Sequence, residues 1–186
     1  MRALPAHRHN TNAEPEPMEL DDLRALYVEE LKDLWSAENQ LLKALPRMAK
    51  AATHPQLKRA FTKHEKQTQQ HVKRLERICR ELDESPRGKK CVGMEGLIEE
   101  GKELIKEKPE KEVLDAGLIA AAQHVEHYEM AGYGTCRTWA RLLGYTNQVE
   151  LLQATLDEEQ QTDLDLTALA ESSVNLEAAS PEGDEE

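Results

Sequence analysis

The sequence predicts an all-α chain, a four-helix bundle of two antiparallel hairpins with a short fifth crossover helix. Three observations carry this. Among 186 residues there are 25 Leu and 21 Ala but only 7 Val and 4 Ile, too few β-branched apolar side chains to furnish a sheet. Proline and glycine fall at a few places and leave long segments between them. Within those segments apolar residues recur alternately three and four apart, the spacing that lines one face of a helix. The length suits a single domain with one core.

The elements follow from this punctuation. Residues 1–18 hold three of the eight prolines, and residues 173–186 are Ser, Ala and acidic residues with one more proline, so both read as disordered tails around a bundle of 19–172. The first long helix runs from about Glu19 to Ala52, with Pro46 kinking its last turns. The second spans about Pro55 to Glu84, because Pro55 suits a first-turn position that needs no amide donor. A short amphipathic helix around Met94 to Lys106 lies in the 85–111 connection, which is long enough to traverse a bundle. The third long helix extends from about Val113 to Leu143, with Gly144 as its C-terminal stop, and the fourth from about Asn147 to Ala170. Two helical hairpins joined by a long connection is the layout of a ferritin-like four-helix bundle.

Each of the four seams is interrupted near its middle by polar residues. The first reads Leu23, Tyr27, Leu31, Leu34, Glu38, Leu41, Leu45, Met48, and the second Leu57, Phe61, His64, Thr68, His71, Leu75, Ile78. The third gives Leu118, Ala122, Val125 with Glu126, Glu129, Tyr133, Cys136, and the fourth Leu152, Leu156, Glu159, Asp163, Leu166. Glu38 and Thr68 lie 15 residues either side of residue 53, and Glu129 and Glu159 lie 15 either side of Gly144. With a fixed rise per residue, each hairpin brings its polar residues to one height.

A single Glu on a seam reads most simply as a hydrogen-bonded boundary group, and a single His as a satisfied core residue. Four coincident interruptions point instead to a buried polar layer. Several buried carboxylates cannot all stay ionised without compensation, because desolvation and mutual repulsion both oppose it. Bound cations supply that compensation, and oxygen ligands with imidazole suit iron or manganese.

Composition excludes other classes. The net charge of −12 disfavours nucleic-acid binding, which draws on Lys and Arg. Three widely spaced cysteines, Cys79, Cys91 and Cys136, signal neither a disulfide framework nor a thiolate zinc site. No apolar run spans a bilayer and no signal peptide is evident, so no membrane association is expected and the cytoplasm is the expected location.

Across roughly residues 20 to 170 the chain resembles the ferritin-like stress proteins of the YciE/YciF type. The resemblance rests on YVEELKDLWSAENQLLKALPRMAKAA, LKRAFTKHEKQTQQHVKRLE, CVGMEGLIEE, DAGLIAAAQHVEHYEMAGYGT and LLQATLDEEQQTDLDLTALA. It implies a rubrerythrin-like bundle with a fifth helix, a homodimer, a link to stress responses and a di-metal site. The residues it implicates as ligands are Glu38, His64, Glu126, Glu129, Glu159 and Asp163, with His71 the alternative to His64 on the second helix. Gln67 stands where the resemblance implies a Glu, and a neutral amide cannot bridge two cations as a carboxylate does. The expected function is a cytoplasmic stress-response protein with an iron or manganese di-metal site that handles oxidant or iron. The alternative is a metal-free dimeric bundle serving as a structural or interaction protein, its polar layer fixing helix register. A dimer would also cover Trp35 and Trp139, which the four seams leave on outer faces.

Overall fold

The computed structural model describes residues 20–180. Helix α1 spans Leu23–Ala51, α2 Pro55–Glu81, α3 Val92–Glu107, α4 Lys111–Leu142 and α5 Thr146–Leu169; a π-helical turn, Ala170–Val174, leads into α6, Asn175–Ala179. The chain is a ferritin-like four-helix bundle, with no strand among the described residues. Local chemistry sets most of the ends. The Asp22 carboxylate accepts from the amide of Ala25 at the start of α1, and Pro55 occupies the first turn of α2. Gly144, at φ +79, takes the left-handed conformation that stops α4. Pro46 is accommodated inside α1, which continues to Ala51.

The longest seams join α1 to α2 and α4 to α5, and α1–α4 and α2–α5 contacts close the square. Every neighbouring pair is antiparallel: Thr53 meets Asp115 and Glu38 meets Tyr133 across α1 and α4, while Lys63 meets Asp165 and Arg74 meets Glu158 across α2 and α5. Helix α3 lies on α1 and α4 and returns the chain to the end where α4 must begin. Its first turn is staked by Cys91, whose thiol donates to Asp33 at 2.9 Å and whose amide donates to Ser36 at 2.9 Å.

The core forms two separate apolar clusters. One gathers Leu41, Leu45, Leu57, Phe61, Leu118 and Leu166 near the α1–α2 turn; the other gathers Tyr27, Leu31, Leu34, Leu75, Ile78 and Leu152 near the α4–α5 turn. Between them lies a buried polar layer. Gly132 admits the close approach of α4 to α1 there, because a Cβ at this position would stand 2.7 Å from Leu34 Cδ2.

Two expectations need correction. Residues 173–179, read as part of a disordered tail, continue α5 through the π turn and α6. Val174 is the cause: it is buried with Ala170 in the cluster near the α1–α2 turn. Residues 1–18 and 181–186 lie outside the described residues. Trp35 and Trp139 are partly buried within the chain itself, packed against the cluster near the α4–α5 turn.

Asp115 ties α4 to the α1–α2 turn in a way that seam periodicity does not signal. Its buried carboxylate accepts from the Thr53 amide (2.7 Å), the Thr53 hydroxyl (2.6 Å) and the His54 amide (2.7 Å). Asp115→Ala strands those donors and is expected to cost about 3 kcal/mol, read as a lower urea midpoint with an unchanged m-value.

Candidate metal centre

The layer takes Glu38 from α1, His64 and His71 from α2, Glu126 and Glu129 from α4 and Glu159 from α5. All six side chains are buried. Their potential ligand atoms fall into two sets, each within 4.8 Å: His64, Glu126, Glu129 and Glu159 in one, Glu38, His71 and Glu159 in the other. Glu159 belongs to both, and Gln67 to neither.

In the first set, His64 Nε2 lies 3.2 Å from Glu126 Oε1 and 3.7 Å from Glu159 Oε2. In the second, His71 Nδ1 lies 2.9 Å from Glu159 Oε1 and 3.4 Å from Glu38 Oε1, while the Tyr133 hydroxyl donates to Glu38. Eight buried atoms of the layer have no hydrogen-bond partner: Glu38 Oε2, Glu126 Oε2, both oxygens of Glu129, both of Glu159, His64 Nε2 and His71 Nδ1. The short histidine–carboxylate approaches are charge contacts off the hydrogen-bonding direction.

The electrostatics follow. Burial, with Glu159 beside it, pushes the Glu126 carboxyl well above the usual carboxylate range, and burial among Glu38, Glu159 and Glu126 does the same to Glu129. Glu38 is raised more modestly, burial outweighing the pull of His71. Glu159 goes down despite burial because His71 and His64 adjoin it. Burial lowers His64. For His71 burial is overcome by Glu38, Glu158 and Glu159, which push it up to about 12.

Of the residues implicated from sequence, Glu38, His64, His71, Glu126, Glu129 and Glu159 come together, and both α2 histidines take part. Asp163 does not join them. Four residues beyond Glu159 on a helix of 3.6 residues per turn, it swings toward α4, accepts from Gln123 Nε2 at 3.0 Å and lies 3.4 Å from His127. Thr162 takes the inward position. Gln67 is half-buried on α2, its side-chain oxygen enclosed without a partner. Sequence reasoning missed Glu158 and Arg74, which lie beside the seams and carry no periodic signal. Glu158 contacts His71 Nε2 at 2.7 Å and holds Arg74 through two bonds of 2.7 and 3.0 Å; the His71 bond, with Arg74, takes its carboxyl down to about 2.

An antiparallel four-helix square with a crossover and a buried carboxylate–histidine layer places the chain among the ferritin-like bundles. The chain belongs to the DUF892 family, a domain of unknown function, which matches residues 22–179. It is 43% identical over 162 residues to protein YciF of Escherichia coli (strain K12), covering 87% of this chain and 98% of that protein. The crystal structure of the E. coli stress protein YciF superposes with a TM-score of 0.80 at 44% identity, over 83% of this chain and 98% of that one. YcfI of Rhodopseudomonas palustris, described as a proposed structural protein, gives 0.78 at 38% identity over 80% and 95%. A Xanthomonas campestris protein gives 0.67 at 19% identity over 85% and 96%, a likeness of fold alone. No helix among the described residues is long and apolar enough to cross a membrane.

Proposed function

We propose that the polar layer holds two divalent cations, iron or manganese, in a cytoplasmic stress-response protein that handles oxidant or iron. The eight unpartnered, buried ligand-type atoms carry this reading, since a buried polar atom without a partner is costly and a cation satisfies several at once. Charge supports it as well: four carboxylates with neutral histidines balance two divalent ions. One ion would take His64, Glu126 and Glu129, the other Glu38 and His71, with Glu159 common to both. Ions of this kind supply redox and Lewis-acid chemistry when bound. The description of YciF as a stress protein supports the physiological setting. A homodimer, which the family resemblance implies, belongs to the proposal.

Elemental analysis of protein purified without chelator should find about two iron or manganese ions per chain. Stripping them should lower the melting temperature at neutral pH, since the fold loses a ligand that binds only the native state. The second reading, a metal-free structural or interaction bundle, draws on the description of the R. palustris relative and on His71, whose ring nitrogens adjoin Glu38, Glu158 and Glu159 and can themselves offset carboxylate charge. Protein that carries no ion and takes none up would decide for it.

A further inference from the structure

His64 and His71 sit two turns apart on α2, yet they turn opposite ring nitrogens toward the layer. His71 presents Nδ1 to Glu159 and Glu38, and its Nε2 is engaged by Glu158 Oε2 at 2.7 Å. His64 presents Nε2 to Glu126 and Glu159, and its Nδ1 lies 3.4 Å from the Thr162 hydroxyl. Both outer partners come from α5, and each has a defined polarity. The ionised Glu158 carboxylate, clasped by Arg74, can only accept, so the His71 Nε2 must carry a proton. The Thr162 hydroxyl donates to the Glu158 backbone carbonyl at 3.0 Å, which leaves its oxygen to accept from His64 Nδ1–H.

A histidine ligates through the nitrogen that lacks a proton, and the partner of the other nitrogen decides which one that is. We propose that Glu158 and Thr162 are positioning residues that fix His71 as an Nδ1 ligand and His64 as an Nε2 ligand, one histidine for each of two cations. The proposal rests on the di-cation reading. It assigns each position its own outer partner, so the two ions can be weakened separately although Glu159 is common to both.

The test is titration of the metal-free full chain with Co(II), followed by absorption and calorimetry. Wild type should take up two ions. Thr162→Val, which keeps the shape and removes the acceptor, should weaken one ion by roughly 10- to 100-fold, and Glu158→Ala should weaken the other to a similar degree. The double variant should then hold neither ion at wild-type affinity. Glu158→Gln keeps an acceptor oxygen and should restore most of the loss. A second readout needs no cation: nitrogen–proton NMR correlations of the metal-free protein should show His64 as the Nδ1–H tautomer, and a mixture in Thr162→Val. The assignment is wrong if either single variant keeps both ions at wild-type affinity, if the double variant keeps one, or if His64 is the Nε2–H tautomer. Absence of Co(II) uptake by wild type would overturn the di-cation reading and this proposal with it.

Discussion

Glutamine in place of Glu129 is expected to strip the protein of at least one cation while leaving the metal-free bundle more stable than wild type. Glu129 is fully buried, neither oxygen has a partner, and Glu38, Glu159 and Glu126 surround it. Burial and the neighbouring carboxylates therefore favour its protonated form in the metal-free fold. The substituted amide has the same shape and no charge, so folding no longer requires proton uptake there, a gain on the order of 1.4 kcal/mol for each unit by which burial raises the carboxyl, up to the pH of the measurement. Binding moves the opposite way. Loss of an outer-shell partner weakens a metal site by about 10- to 100-fold, and loss of a direct anionic ligand should weaken it by at least that much. Calorimetric titration gives the affinity, and thermal melts in chelator give the stability. A variant that binds cations normally and melts lower would show that Glu129 is a structural hydrogen-bonding group and not a ligand.

The metal-free protein should also grow more stable as the pH falls from about 8.5 to about 6.5, and the loaded protein less stable. Glu126 and Glu129, and to a smaller extent Glu38, have carboxyls raised above the ordinary 4.5, so the folded chain holds protons that the unfolded chain has released. Their contribution is lost as the pH rises toward the folded values. His71 acts in the same direction: raised from 6.5 to about 12, its stabilisation is complete below 6.5 and declines above it. Glu158 and Glu159 are depressed, so their contributions persist above the ordinary 4.5 and do not change in this window. His64, lowered by burial, opposes only below 6.5, which sets the lower bound. A rise of several degrees in the metal-free melting temperature is expected. Cations compete for the same atoms, so acid weakens their hold and the loaded protein follows the reverse slope. Parallel slopes in the two forms would mean that the ions bind elsewhere.

The square of four helices and its crossover were legible because the seams are long and the breakers few. The polar layer was legible because Glu38, Glu129 and Glu159 each replace an apolar residue at a seam position. What lay beside the seams was not. Glu158 and Arg74 reach the centre from the α2–α5 boundary, where charged residues are ordinary, and Asp115 satisfies backbone amides of a turn that follows α1. Asp163 looked equivalent to Glu159 in a count of threes and fours, but the helix turns it toward Gln123. The end of the bundle was set too early because the stretch around Val174 is rich in Ser, Asn and Glu and reads as a tail by composition, although Leu166, Ala170 and Val174 continue the seam at a spacing of four.

The separation of the core into two apolar clusters makes the polar centre the junction through which the two ends of the bundle are coupled. Substitutions in contact couple, whereas well-separated ones add. A truncation at Leu31 and another at Leu57 belong to different clusters, so no common apolar cluster lets one sense the other. Whatever one end of the bundle communicates to the other must travel through the helix backbones or through the carboxylates and imidazoles between them. That layer, and not a continuous apolar core, is then the side-chain route by which damage at one end reaches the other.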